Sequence, residues 1–373
     1  MSLYITDENG VLHKIAGTGG GSKIEIDSVL DENSENPVQN KVITPELLSR
    51  YTKEETNELF ENLKNQISNP NLLINGDFRI NQRGQTSYSS ANKYTVDRWL
   101  NRENSLSVTP LANGGVKLER TANSITSVPM ISQSIEHFEN LLGKTLTITV
   151  KIREDNTTGG FWFGVWGGNE TRYATKEYGG SGTHISGTGL FSITFTMPET
   201  IGYSRLNFVI RLNTGSIQGE NIIIDWAKLE IREVSTAFIP RPYAEELALC
   251  QRYCVINNDY DYTYNDFGIG VAGRTTQVDI KTSVPVVLRT PPTIQYIVNN
   301  GSISTSIPTN LKLLTYTGGS LNLTSTPTSV VFARQNASEI MIRAQTTVSI
   351  GSVYSLYIDG GDKIKVILDA EIY

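Results

Sequence analysis

Cysteine is almost missing from this sequence. The 373 residues hold two, Cys250 and Cys254, too few for a scaffold stapled by disulfides. Spaced i, i+4 on an expected helix, they read as buried thiols on one face. Histidine is nearly as scarce. His13, His137 and His184 stand in unrelated contexts with no zinc spacing. There is no GxSxG, no P-loop and no dinucleotide fingerprint. A glycosidase needs two carboxylates facing across a cleft, and nothing in the sequence pairs the scattered Asp and Glu. The chain is therefore expected not to be an enzyme. No apolar run approaches the roughly 18 residues of a membrane span, so membrane insertion is not expected. The start "MSLYITDENGVLHKIAG" lacks the basic segment and apolar core of a signal peptide. Basic charge is also short, with a formal net charge of −6. Residues 1–70 hold 12 Asp/Glu against 6 Lys/Arg, and the remainder holds 26 of each. The excess belongs to an N-terminal arm, and no basic patch points to nucleic acid.

What is present is glycine, tyrosine and alternation. With 32 Gly, 17 Tyr and 19% charged residues, the composition suits a mainly β protein rich in turns. In "KTLTITVKI", Leu146, Ile148, Val150 and Ile152 alternate with polar residues. "FSITFTM" and "LNFVIRL" alternate likewise, and "IIIDWAKLEI" is apolar on both sides, as a central strand is. One short helix is expected among them, "IEHFENLL", capped by Ser134 and ended by Gly143. Strands from about residue 70 to 243 make a β-sandwich or jelly roll, closing at "AFIPRPY". A linking helix follows over 244–254, with Leu247, Cys250, Gln251 and Cys254 on one face. A C-terminal β-sandwich domain covers 255–373. Its last strand alternates through Ile364, Val366, Leu368, Ala370 and Ile372, and "IDGG", with Asp359 and Asp362, reads as a hairpin turn.

Ahead of the β region lie an extended arm over 1–43, with a flexible "GTGGGS" joint, and a helical segment over 44–69. Thr44 and Pro45 open one helix. Thr52 and Glu55 form a capping box for the next. Thr56, Phe60, Leu63 and Ile67 then step by four, three and four, a coiled-coil seam about two heptads long. So short a helix is marginal alone. Its seam is expected to pair with other copies of the chain or to pack on the next domain.

Two aromatic stretches could stack on the CH faces of sugars. In "GGFWFGVWGGNETRYATKEYGG", Phe161, Phe163 and Val165 share one strand face, and Trp162, Gly164 and Trp166 share the other. Either both tryptophans are core, or they are exposed with room for a ring over Gly164. Tyr173 belongs to the same stretch. In "NNDYDYTYNDFGIG", Tyr260, Tyr262 and Tyr264 share a face, as a binding row or as a ladder stabilising the sheet.

The segments "NLLINGDFRINQRG…TVDRWL", "QSIEHFENLLGKTLTITVKIR", "IDWAKLEI" and "FIPRPYAEELALCQRYC" stand in an order that resembles phage tail fibres and tail-tip receptor-binding proteins. "DENGVLHKIAG" and "SENPVQNKVI" resemble virion-proximal segments of such fibres. The resemblance implies a jelly roll like a carbohydrate-binding module, a distal β head and a homotrimer. It also implies an arm that docks on a tail or baseplate protein, and attachment to host cell-surface glycan by multivalent, non-catalytic binding. The protein would be assembled in the bacterial host cytoplasm and reside in the virion tail. A structural spacer and a glycan-degrading tail enzyme are the alternatives. In related carbohydrate-binding modules, positions matching Asp77 and Asp225 hold a structural calcium, the one cofactor implied. Here Arg79 stands where a further acidic ligand would be, so the rival is an ion pair of Arg79 or Arg98 with Asp225.

Overall fold

The computed structural model describes residues 3–6, 11–15, 53–58, 70–123, 128–167, 172–177, 187–213, 217–257, 265–299, 301, 303–317, 320–323, 326–335, 339–359 and 363–371. The chain divides into two compact units, Met1–Ile67 and Ser68–Tyr373. In the first, Leu3–Thr6 pairs antiparallel with Leu12–Ile15, and residues 53–58 are helical and exposed. Thr56 lies on that turn of helix. Phe60, Leu63 and Ile67, the rest of the expected seam, fall outside the described residues.

The second unit is mainly β, as the alternation predicts. A six-stranded antiparallel sheet runs in the order Arg172–Glu177, Phe161–Gly167, Leu206–Leu212, Met130–Ile135, Leu100–Asn101, Lys93–Tyr94. A five-stranded sheet runs Gly189–Thr196, Thr145–Asn156, Asn221–Glu230, Val116–Arg120, Leu106–Pro110. Their facing residues form one core. Leu146, Ile148, Val150 and Ile152 from the second sheet meet Phe161, Phe163, Val165, Phe208 and Ile210 from the first. Each fully buried side chain of this size contributes about 1.5–3 kcal/mol of transfer free energy, so an alternating sequence folds with that face inward. Asn221–Glu230 is central in its sheet, as its two apolar faces require.

The segment "NLLINGDFRI" contains no strand, yet it is buried. Its polar side chains take over the hydrogen bonding that a ladder would supply. Asn71 Nδ2 donates to Ala227 O at 2.9 Å, and its Oδ1 accepts from Leu73 N and Leu229 N, both at 3.0 Å. Asn75, at φ 56°, donates to Ile80 O and Asp97 O and accepts from Ile80 N. A Cβ on Gly76 would stand 2.4 Å from Asn71 Nδ2 and 2.6 Å from Ala227 O, so only glycine fits.

Three expectations are corrected here. "IEHFENLL" forms only a 3-10 turn, Phe138–Leu141. Ser134 lies in the strand Met130–Ile135 and caps nothing, because Ile135 follows the strand period into the sandwich core. The linking helix is Tyr243–Gln251. Cys254 lies beyond it and opens the strand Cys254–Asn257, so the cysteines do not share a helix face, although both are buried and free. Finally, Asp359 does not sit in a hairpin. The strands on either side, Val353–Ile358 and Ile364–Asp369, belong to different sheets.

Those sheets build the C-terminal part. A three-stranded sheet places Ile364–Asp369 between Cys254–Asn257 and Thr293–Val298. A seven-stranded sheet runs Ser320–Leu323, Leu311–Thr317, Val353–Ile358, Asn265–Arg274, Gln277–Ser283, Glu339–Gln345, Ser329–Gln335. A second core lies between them, with Tyr296, Leu313, Ile342, Leu356 and Val366. The last strand is thus the middle of its sheet. Its alternation is legible through Ala370, which is buried, and Ile372 lies outside the described residues.

Candidate functional site

The outer face of the six-stranded sheet follows from strand register. Phe161, Phe163 and Val165 point into the core, so Trp162, Gly164 and Trp166 point away. Across the ladder they oppose Arg211, Val209 and Asn207. Those in turn oppose Met130, Ser132 and Ser134. The face therefore carries two indoles, one guanidinium, one amide and two hydroxyls around a small apolar centre.

The tryptophans do not stand open with a slot between them. Trp162 is 1% and Trp166 6% exposed. Their rings contact each other at 4.7 Å with a 34° tilt, closing over Gly164. They pack with Val209 and Met130 in a cluster separate from the main core. The Arg211 guanidinium lies over Trp162 at 3.7 Å, an arrangement favoured by the negative face of the indole. The open stacking platform is thus corrected. Large rings without a deep pocket lower their free energy by covering one another.

What stays accessible is the border of this cluster. Trp166, Gly167, Asn207, Val209, Met130, Ser132, Arg102 and Glu103 line a depression of about 210 Å³. Arg102 Nε donates to Ser132 Oγ at 2.9 Å, which fixes the guanidinium on the rim. Apolar side chains beside hydroxyl, amide, carboxylate and guanidinium groups are chemistry suited to polyols, which offer both CH surface and hydroxyls. Tyr173 lies in the neighbouring strand Arg172–Glu177. Tyr260, Tyr262 and Tyr264 lie outside the described residues.

The backbones of Asp77 and Asp225 both border Gly115. Gly115 donates its N–H to Asp77 O at 2.7 Å, and a Cβ on it would lie 3.5 Å from Asp225 Cα. Each carboxylate is already faced by cations. Arg79 Nε is 3.1 Å from Asp77 Oδ2. Arg153 Nε is 2.6 Å and Lys151 Nζ 3.4 Å from Asp225. Burial holds Asp77 above the usual carboxylate range, with Arg79 opposing that shift. Three cations around two carboxylates do not fit a calcium ion. Among the described residues no cluster of three His, Cys, Asp or Glu could hold a metal. The pairing expected for Asp225 is also corrected, because Arg79 serves Asp77 and Arg98 serves Glu371.

That second pair belongs to a feature the sequence did not disclose. Five charged side chains lie buried where the sandwich meets the three-stranded sheet. Arg98 Nη1 is 2.5 Å from Glu371 Oε2, and Arg98 N donates to Glu371 Oε1 at 3.1 Å. Arg98 takes φ 73° and lies over the Tyr253 ring at 3.5 Å. Arg83 Nη1 is 3.2 Å from Asp97 Oδ1, and its Nη2 stands 3.8 Å from Glu371 and 4.0 Å from Asp369. Burial pushes the Asp97 carboxyl up to about 7, against the pull of Arg83. The linking helix is clasped to the same region. Asn75 N donates to Glu246 Oε1 at 2.5 Å, and Arg241 Nη1 is 3.0 Å from Glu246 Oε2. The motifs "NGDF", "VDRW" and "PRPYAEE" thus fasten sandwich, helix and C-terminal sheet together. Their arginines and acids inside otherwise apolar stretches were the available signal.

No family model matches the chain, and no curated protein sequence matches it significantly. Among solved structures, parts of the chain are similar to a carbohydrate-binding module of family 4. That match has 16% identity, covers 42% of this chain and 98% of that one, and has a TM-score of 0.29. An MgGH51 α-L-arabinofuranosidase bound to arabinose matches at 15% identity, over 43% of this chain and 26% of that one, with a TM-score of 0.28. The enzymatically active domain of tailspike protein 4 from bacteriophage CBA120 matches at 11%, over 43% and 21%, with a TM-score of 0.27. The match thus spans about a quarter of the arabinofuranosidase chain and a fifth of the tailspike chain.

Proposed function

We propose that this chain is a glycan-binding component of a phage tail fibre, attaching the virion to host cell-surface polysaccharide without catalysis. The observation that carries the reading is the depression that Trp166 lines together with Ser132, Asn207, Arg102 and Glu103. The motif order of the sequence supports the tail-fibre assignment. A shallow site of this kind binds weakly. The proposed homotrimer, joined through Thr56, Phe60, Leu63 and Ile67, raises effective concentration and multiplies that affinity without new contacts. The N-terminal arm, in this reading, docks on a tail or baseplate protein.

The test uses the intact chain. Sedimentation should give a mass near three times 41.2 kDa, and labelled protein should bind host cells in a manner competed by purified surface polysaccharide. A single-chain mass removes the avidity step. Absence of competition leaves the spacer reading. Release of reducing ends from the polysaccharide would make the protein a tail enzyme.

A further inference from the structure

The outer face of the seven-stranded sheet holds a cavity of its own, in a different sheet from the Trp166 face. Its volume is about 250 Å³, just below the ~300 Å³ at which small-ligand pockets begin, so it suits one sugar ring and no longer segment. Val271, Gly273, Arg274, Gln277, Asp279 and Arg343 line it.

Strand register puts these groups together. Val278 and Ile280 face the core, so Asp279 faces outward. It opposes Val271 on one side and Arg343 on the other. The register shifts between Val271 and Arg274, where Ala272 and Gly273 oppose Val278 alone. Such a bulge re-aims the side chains beside it. Backbone hydrogen bonds hold this one in place. Ala272 N donates to Ser352 O at 3.0 Å, and Gly351 N donates to Ala272 O at 2.8 Å. Thr275 O accepts from Val348 N at 2.9 Å, and Thr276 O from Thr346 N at 3.1 Å. A Cβ on Gly273 would meet nothing within 4 Å, so the glycine leaves the cavity open.

Charge decides the ligand class. Arg343 Nε and Nη2 donate to Asp279 Oδ1 and Oδ2 at 2.7 and 3.0 Å, a planar fork that is neutral as a unit. That hydrogen bonding holds the Asp279 carboxyl below its ordinary range, with Arg334 and Arg274 adding to the pull. Arg274 is the surplus charge of the lining. It is exposed and makes no hydrogen bond or ion pair among the described residues. Gln277 opposes it in the ladder, and Val271, 57% exposed, adds an apolar surface. An ammonium sugar would be repelled by Arg274, and a neutral sugar would leave its charge unanswered. We infer that this cavity binds one hexuronate residue of a glycan, its carboxylate on Arg274 and Gln277 and its CH face on Val271. A ring hydroxyl donates to Asp279, whose side chain is 30% exposed. The choice of a sugar rests on the glycan-binding reading, whereas the location uses none of the residues beside Trp166.

The test is ligand-observed saturation-transfer NMR on the intact chain with the methyl glycosides of glucuronate and galacturonate, against methyl glucoside and acetate. At least one uronide should show transfer, stronger than the glucoside and stronger than acetate. Arg274→Gln removes the surplus charge and Gly273→Leu fills the open space. Each should weaken uronide binding by about tenfold or more, with near-UV circular dichroism unchanged. No transfer from either uronide overturns the inference, as does transfer to glucoside or acetate that equals it. Uronide binding undiminished in Arg274→Gln places the sugar elsewhere and overturns it too. Polysaccharide retention tests the Trp166 depression, so the two site readings fail separately.

Discussion

Raising the pH from 5 to 7 should weaken this protein, the reverse of what paired surface carboxylates do. The cause is Asp97. It is fully buried, shares Arg83 with Glu371 and Asp369, and titrates near 7 against an ordinary 3.8. A carboxyl raised in the folded state holds a proton that the unfolded chain has lost. Its contribution to stability is therefore complete below about pH 4 and decays as pH rises toward 7. At 1.36 kcal/mol per pKa unit, the loss between pH 5 and 7 comes to about 2 kcal/mol. Carboxyls held low, such as Asp279 under its Arg343 hydrogen bond, change stability below that window. Urea unfolding at half-unit steps, followed by tyrosine and tryptophan fluorescence, reads the slope. Asp97→Asn carries no titrating group and should flatten it, so the difference between the two proteins isolates the site. A wild-type profile that is flat or rising from pH 5 to 7, or one parallel to that of the variant, refutes the reasoning.

Further outcomes follow from contacts in the fold and from the proposed helical seam. Arg98→Met removes the closer cation from the buried Glu371, leaving Arg83 at 3.8 Å, and should cost about 3 kcal/mol in urea unfolding. Replacing both Arg98 and Glu371 with apolar residues should recover much of that loss. Gly76→Ala forces a Cβ against Asn71 and Ala227 O and should destabilise by roughly 2 kcal/mol or more, seen as a lower thermal midpoint. Phe60→Asp with Leu63→Asp should lower the sedimenting mass and leave the far-UV β signal unchanged. Thiol reagents should label Cys250 and Cys254 only after denaturant is added, because burial raises both thiols well above the ordinary range and the thiolate is the reactive form.

Strands were legible wherever one face is core and the other is not. Leu146, Ile148, Val150 and Ile152 alternate in sequence because they meet Phe161, Phe163 and Val165 across the sandwich. The same period placed Trp162 and Trp166 on the opposite face. It could not reveal that the rings would close on each other under Arg211, since that depends on a strand some 45 residues on. Local signals misled where tertiary packing won. "SIEHFENLLG" has helix caps, yet Ile135 continues a strand, and Cys254 opens a strand where a helix period was extended. The buried charges were least legible, because Arg98 and Glu371 are 273 residues apart and neither has a local partner.

The central claim is adhesion through the border of the tryptophan cluster. Affinity electrophoresis of the intact chain through gels containing host surface polysaccharide measures it directly, with Trp166→Ala and Asn207→Ala run alongside. The wild type should be retarded in proportion to polysaccharide concentration, and each variant should lose about tenfold or more in apparent affinity while remaining folded. Unretarded wild type, or variants retarded as strongly as the wild type, would contradict the account.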